Sequence, residues 1–243
     1  MSLLPWQTAK LLNFIDETPK VRRFFFEVTE TAIFDFRPGQ FVTMDLPISD
    51  RPSKRLRSYT IASAPDGTNV FELAVVLLEM GSGSHYLFEN SFPGFEIKFR
   101  GPQGHFILPD ILEREMCLIC TGTGIAPFRS QLIQLHKNKI ATPTVHLIFG
   151  TRVISDILYY EEMQQLKKEM PAFKYHVVLS RESSDEWKGE RGYVHPVYET
   201  ICDNGKKDMD FYLCGWRVMI NEARERLATM GYPKERVHLE FYD

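Results

Sequence analysis

The sequence predicts a two-domain chain: an N-terminal antiparallel β-barrel over residues 1–110 and a C-terminal α/β parallel-sheet (Rossmann-like) domain over 111–243. Three observations predict it. Up to about residue 110, short runs rich in β-branched and aromatic residues alternate with turn signals. Beyond that point, apolar runs too short for helices alternate with stretches at helical spacing, the rhythm of a parallel sheet covered on both faces. At the start of the second part, Met116-Cys117-Leu118-Ile119-Cys120 leads through Thr121-Gly122-Thr123-Gly124 into Ile125, Phe128, Leu132 and Leu135 at helical spacing. That is strand, glycine turn, helix.

In the first part, strands are expected at 8–14, 21–29, 41–46, 58–62, 70–78 and 95–99. Arg37-Pro38-Gly39-Gln40 and Pro65-Asp66-Gly67 supply turns between them, and strands at this pitch suggest a closed or nearly closed barrel. One short helix is expected from Ser84, with Tyr86, Leu87 and Phe88 as its apolar face, and a further glycine turn spans Gly101-Pro102-Gln103-Gly104-His105-Phe106. In the second part the expected strands are 116–120, 145–149, 175–179, 211–214 and 237–241. Helices are expected at 125–138, 156–170, 196–202 and 216–230, the last presenting Ile220, Ala223, Leu227 and Met230 on one side.

Composition narrows the function. A net charge of −3, divided as −2 over 1–110 and −1 over 111–243, argues against a general nucleic-acid or anionic-membrane partner. No apolar stretch approaches membrane-span length, and Leu3-Leu4-Pro5-Trp6 does not extend into a signal core, so a cytoplasmic location is expected. The spacing of Cys117 and Cys120 suggests redox or metal chemistry, but inside a strand two residues three apart face opposite sides. These two are expected to be buried thiols, and with Cys202 and Cys214 they do not make four suitably spaced metal or cluster ligands, so no metal site is expected.

Chemistry concentrates at four places. Gly122 and Gly124 let the backbone turn sharply and approach a ligand, while the following helix N-terminus offers amides to an anion such as a nucleotide phosphate. An ordinary tight turn fits the same residues. Arg57-Ser58-Tyr59-Thr60 stands on a strand after the basic loop Arg51-Pro52-Ser53-Lys54-Arg55-Leu56, with Arg57 and Tyr59 on one face. A guanidinium beside an aromatic ring suits a ligand with a phosphate and a flat ring system, although the tetrapeptide alone favours a cross-strand cation–π pair on a solvated surface. Gly81-Ser82-Gly83-Ser84 opens a helix and frees amides for a second phosphate, with Ser84 as N-cap, or forms a plain turn. Leu179-Ser180-Arg181-Glu182 ends a strand where a hydroxyl beside a guanidinium suits a ribose 2′-phosphate, although Glu182 favours a free hydroxyl.

In this order and spacing, over essentially the whole chain, these residues resemble the ferredoxin–NADP(H) reductase superfamily. Arg57-x-Tyr59-Thr60 resembles its flavin motif, Arg37-Pro38-Gly39-Gln40-Phe41 the turn upstream, and Gly81-x-x-Ser84 its pyrophosphate motif. Gly101-Pro102-x-Gly104-x-Phe106 resembles the junction loop, and Gly122-Thr123-Gly124-Ile125-Ala126-Pro127 the nicotinamide-nucleotide motif. Phe149-Gly150-Thr151-Arg152 with Asp156-x-x-Tyr159-x-x-Glu162, and Cys214-Gly215, complete the match. Trp216 departs from it, standing where many members have proline, and Glu240-Phe241-Tyr242-Asp243 runs past the aromatic terminus of plastid-type members.

The resemblance implies a flavoenzyme with FAD on the barrel, NADP(H) (NAD(H) being possible) on the α/β domain, and the site in the crevice between them. It implies FAD contacts from Arg57, Ser58, Tyr59, Thr60, Val75, Gly81, Gly83 and Ser84, with Phe241 or Tyr242 covering the flavin's other face. For the nicotinamide nucleotide it implies Gly122, Thr123, Gly124, Pro127, Arg152, Ser180, Arg181, Tyr193 and Gly215, with Arg191 as a second cation. Thr60, Cys214 and Glu240 are the implied catalytic residues. Electrons from NADPH would pass through FAD to ferredoxin or flavodoxin, expected as a separate chain because no acceptor domain accompanies the motifs. Two other readings are the NADH-dependent reductase component of an oxygenase and a non-catalytic flavin-binding regulatory subunit.

Overall fold

A computed structural model describes residues 4–242, which fall into two units. One runs to Ile107 and also takes in Arg129–Gln134; the other holds Leu108–Phe128 and the chain from Leu135 onward.

Alternation builds the first unit. Its strands are β1 (Gln7–Thr18), β2 (Val21–Val28), β3 (Phe41–Asp45), β4 (Leu56–Thr60), β5 (Val70–Val76) and β6 (Glu96–Gln103). They pair antiparallel in the order β4-β3-β6-β1-β2-β5. An Ile61–Leu73 bridge ties the end of β4 to β5, so the two edges of the sheet meet and a barrel results. Along β2, Phe24, Phe26 and Val28 turn inward and Arg23, Phe25 and Glu27 outward. Inside, the rings of Phe26, Phe34, Phe71 and Phe99 lie 5.3–5.8 Å apart in stacked, tilted and edge-on pairs. Each buried ring contributes about 1.5–3 kcal/mol. One helix, α1 (Ser82–Glu89), packs on this barrel through Leu87.

Parallel strands build the second unit: β7 (Glu115–Thr121), β8 (Val145–Thr151), β9 (Phe173–Leu179), β10 (Glu190–Arg191), β11 (Met209–Trp216) and β12 (Val237–Tyr242). Their order is β10-β9-β8-β7-β11-β12. The helices are α2 (Ile125–Lys137), α3 (Tyr160–Glu169), α4 (His195–Ile201) and α5 (Arg217–Thr229). Alternation splits β7: Cys117 and Ile119 join the core shared with α4 and α5, while Leu118 and Cys120 face the other way. All four cysteines are buried and free. Among the described residues no helix is long and apolar enough to cross a membrane.

The structure moves several expected boundaries. β1 runs on to Thr18, four residues past its expected end, because it pairs with β2 through two register shifts. β6 carries through Gly101-Pro102-Gln103, where a turn was expected, since Gln103 still pairs with Phe41. The helix expected from Asp156 begins at Tyr160; Ile154–Asp156 is a 3-10 turn, and Tyr159 sits at φ 53°, which no α-helix continues through. α1 starts at Ser82 with Gly81 as its N-cap, so Ser84 is not the cap. β10 had no sequence signal; two residues carry no periodicity.

Candidate functional site

In the first unit the candidate residues gather where β4 meets the start of α1. Arg57 is fixed at its root, donating from Nη1 to the carbonyls of Lys54 (2.9 Å) and Leu56 (2.8 Å). Its Nη2 reaches Ser82 Oγ at 3.5 Å, at the first residue of α1. Gly83 allows this approach: a β-carbon there would lie 3.0 Å from Arg57 Cγ and 3.2 Å from Leu46 Cδ1. The first helical amide to donate within the chain is that of His85, to the Gly81 carbonyl, which leaves the amides of Ser82, Gly83 and Ser84 at the helix N-terminus. Guanidinium and amides therefore converge on one spot, an arrangement suited to a pyrophosphate.

Around this spot the other candidates divide. The Ser84 hydroxyl is turned into the protein, donating to the Gly81 carbonyl (2.8 Å) and accepting from the Leu78 amide (3.1 Å), so Ser84 offers a ligand only its own amide. Tyr59 is half-buried against the barrel core, and burial, partly opposed by Arg57, pushes its phenol up to about 12, so it remains a hydrogen-bond donor. Ser58 is exposed and its hydroxyl pairs with that of Thr43 across the β3–β4 ladder at 3.2 Å. Thr60 is buried at the end of β4. Val75 has its side chain inside the core, which leaves only its main chain for a ligand.

In the second unit, β7 has β8 on one side and β11 on the other, so the strand order reverses there. Ligands of open α/β sheets bind beyond the carboxyl ends of the strands at such a point. Those ends are Thr121-Gly122-Thr123-Gly124 and Cys214-Gly215-Trp216, and they interlock. A β-carbon on Gly124 would press into the Cys214 carbonyl, and one on Gly215 would stand 2.5 Å from Thr121 Oγ1. Gly215 also takes φ +132°, and the Trp216 amide donates to Thr121 Oγ1 at 3.3 Å. Gly122 differs: at φ +53°, a β-carbon there would meet nothing within 4 Å. Of the two motif glycines, Gly124 packs the turn and Gly122 opens it. Pro127 is buried in the first turn of α2, and Thr123 is partly exposed.

Beside this turn, Cys214 pairs in register with Cys120 and Glu240. Burial first, then the Glu240 carboxylate and Cys120, push the Cys214 thiol well up, against a smaller opposing effect of Tyr242. It is a neutral thiol, not a thiolate. Alternation along β12 puts Glu240 and Tyr242 on the face of Cys214. Phe241 packs instead into the core near α5, with the Arg217 guanidinium 4.8 Å over its ring. Of the two aromatic residues weighed as flavin covers, only Tyr242 shares the Cys214 face.

Farther along the same edge, Ser180 follows β9 and donates from both its amide (3.0 Å) and its hydroxyl (3.2 Å) to the Thr151 carbonyl. The Arg181 amide donates to the Arg152 carbonyl at 2.9 Å, and both arginines are exposed, as is Tyr193. The Glu182 carboxylate accepts from the amides of Ile154 (2.9 Å) and Ser184 (2.8 Å), and those bonds hold its pKa below the usual carboxylate range. Arg191, expected as a second phosphate cation, instead donates to the carbonyls of Glu182, Ser184 and Trp187 and braces that loop.

Sequence reasoning missed Thr121, whose hydroxyl serves as the socket for Gly215 and Trp216. Its only signal was its place between a strand and a glycine. It also missed Arg129, Ser130 and Gln131, three polar residues in succession on α2 and all buried, at 6%, 0% and 2% exposure. Their signal was an unbroken polar triplet in a helix otherwise read for its apolar face.

The oxidoreductase FAD-binding domain family matches residues 8–107 and the oxidoreductase NAD-binding domain family residues 118–225. Ferredoxin–NADP reductase B of Sorangium cellulosum is 34% identical over 241 residues, covering 97% of each chain. The glycine betaine monooxygenase reductase subunit of Chromohalobacter salexigens is 28% identical over 236 residues, which span 96% of this chain and 63% of that protein. Among solved structures, the Amycolatopsis cytochrome P450 reductase GcoB superposes with a TM-score of 0.87 at 25% identity, covering 99% of this chain and 71% of that one. A ferredoxin NADP+ reductase from Neisseria gonorrhoeae shares the fold, with a TM-score of 0.80 at 22% identity over 97% of this chain and 98% of that one.

Proposed function

Because the chain belongs to the ferredoxin–NADP(H) reductase superfamily of FAD- and NAD-binding oxidoreductases, we propose that it passes electrons from NADPH through FAD to a separate carrier, a ferredoxin or flavodoxin, in the cytoplasm. Residues 1–110 form the FAD-binding domain and 111–243 the nucleotide-binding domain. The observation that carries this reading is the convergence of the Arg57 guanidinium and the α1 amides, with Gly83 packed closely against the Arg57 and Leu46 side chains.

FAD, when bound, supplies the two-electron to one-electron exchange that amino-acid side chains cannot perform. The chain's part is to bind and orient. Arg57 and the amides of Ser82, Gly83 and Ser84 hold the pyrophosphate, Tyr59 packs on the flavin, and Thr60 donates or accepts at its reactive edge. Gly122 and Thr123 receive the nicotinamide nucleotide at the start of α2. Cys214, as a neutral thiol, and Glu240 line the nicotinamide end without forming a covalent bond, and Tyr242 packs beside them. Ser180, Arg181 and Arg152 take the 2′-phosphate, with Tyr193 against the adenine. Glu182, the residue that spoke for NADH, has its carboxylate bound to backbone amides, and this supports NADPH.

A second reading, the reductase component of an oxygenase, draws support from the likeness to the monooxygenase and cytochrome P450 reductases. One experiment tests the shared core and separates the nucleotides. Purified protein, reconstituted with FAD, is expected to be yellow and to bleach anaerobically with NADPH faster than with NADH. A protein that takes up no flavin overturns the whole reading, and faster bleaching by NADH favours the oxygenase component.

A further inference from the structure

Three consecutive residues of α2, in the Arg129–Gln134 stretch that belongs to the first unit, each donate a hydrogen bond to a main-chain carbonyl of that same unit. Arg129 Nη1 donates to Ala62 at 2.7 Å, Ser130 Oγ to Ser63 at 2.5 Å, and Gln131 Nε2 to Phe106 at 2.9 Å. Two of these carbonyls lie two and three residues past Thr60. The same short stretch is held from its other side by β5. Ile61 bridges Leu73, the Ala62 amide donates to the Glu72 carbonyl at 2.8 Å, and Ser63 Oγ accepts from the Glu72 amide at 3.0 Å.

Glu72 closes the arrangement. Its carboxylate, 3% exposed, accepts from Arg129 Nη1 at 3.1 Å and from Arg23 Nε and Nη2 at 2.7 and 3.1 Å, and Arg23 also pairs with Glu17 at 3.2 Å. Arg129 and Glu72 form the buried end of this network, and Arg23 and Glu17 its partly exposed end. Such networks are a weak source of stability, because desolvation offsets the attraction, and they are better suited to fixing one geometry. The chain that follows β4 thus has main-chain atoms held by α2 on one hand and by β5 on the other.

We infer that Arg129 and Ser130 are positioning residues: by holding Ala62 and Ser63 they set the orientation of Thr60 toward the flavin. This rests on the function proposed above. It predicts that loosening the clamp slows flavin reduction without weakening nucleotide or FAD binding.

The test compares Arg129→Met, Arg129→Lys and Ser130→Ala with Val28→Ala, a barrel-core substitution that lowers stability away from the clamp. Arg129→Met leaves Glu72 its pairing with Arg23, so no buried carboxylate is orphaned. Expected are a flavin reduction rate at saturating NADPH about tenfold lower in Arg129→Met and about threefold lower in Ser130→Ala, with KM for NADPH and FAD affinity within about twofold. Arg129→Lys is expected to recover most of the rate. Independently of turnover, amide hydrogen exchange in residues 58–64 of the apoprotein should quicken in Arg129→Met and Ser130→Ala but not in Val28→Ala. If Arg129→Met does not fold, Ser130→Ala carries both measurements. Wild-type rates and exchange in the clamp variants overturn the inference and leave the proposed function standing. So does an equal loss of rate in Val28→Ala. A wild-type protein that NADPH does not reduce overturns the proposed function, and this inference with it.

Discussion

In the proposed FAD site, Arg57 is the side chain whose own bonds bear most directly on how it would meet a phosphate. Its Nη1 already donates to the carbonyls of Lys54 and Leu56, which restrains the guanidinium, and a restrained donor loses less entropy on binding. Arg57→Ala removes a charge-assisted contact that contributes about 1.5–3 kcal/mol, a loss of FAD affinity of roughly ten- to 150-fold. Flavin fluorescence titration measures it, with the thermal midpoint of the apoprotein as the check that the loop survives. Unchanged affinity would place Arg57 outside the site. At the other ligand, Arg181→Ala should lower kcat/KM for NADPH about tenfold or more and leave NADH nearly untouched, since only the 2′-phosphate separates the two. Steady-state kinetics with both nucleotides decide this, and equal losses for the two would assign Arg181 to the fold instead. Glu182 marks what residue types alone do not reveal. Its sequence position opposes NADPH, whereas its carboxylate binds two amides, a fact set by the fold of the 151–184 loops.

At the scale of the element, the β7–turn–α2 segment separates packing from binding within a single motif. Gly124→Ala would drive a β-carbon into the backbone of β11, which no side-chain adjustment relieves, so the second unit should be strongly destabilised or fail to fold. Gly122→Ala meets open space and bears only the cost of a left-handed residue, about 1–2 kcal/mol. It should fold with a modest drop in Tm and bind the nicotinamide nucleotide much more weakly. Thermal melts and nucleotide titration check both, and a soluble, nucleotide-binding Gly124→Ala protein would refute the division. The segment itself was legible, because an apolar run, a glycine pair and helical spacing are all local. What was illegible depended on partners. β6 passes through a glycine–proline pair because β3 continues to pair with it, and α3 starts late because Tyr159 takes a left-handed conformation. Ser84 reads as a cap and turns inward, because the amide of Leu78 lies where its hydroxyl can accept from it. The polar run Arg129-Ser130-Gln131 finds its meaning only in carbonyls 25 to 67 residues away.

For the molecule as a whole, acid is the expected route to loss of structure, and it should begin in the second unit. His146, on β8, is held down to about 4, by burial first and then by the neighbouring His176. Burial also lowers His195 and His238, against the raising influence of Glu222 and Asp210 respectively. All three lie in the second unit. Each is neutral in the fold at a pH where the unfolded chain, titrating near 6.5, already binds a proton. Below that value the unfolded state therefore takes up protons that the folded state refuses, and stability falls as pH falls, down to about 4 for His146. Water reaches His146, so its share is about 1–2 kcal/mol, well under what its shift would give if fully buried. Glu222, held below the usual carboxylate range by Arg226 and His195, adds a loss in the same direction once the pH drops below about 4.5. Urea midpoints measured from pH 7 to 4.5 should decline steadily, with the signal of Trp187 and Trp216 in the second unit moving before flavin fluorescence reports release from the first. His146→Gln should flatten that decline without abolishing it, because His195 and His238 still titrate. A midpoint that holds level across this range, or a His146→Gln protein with the wild-type slope, would show that the β8 histidine does not govern the acid limb.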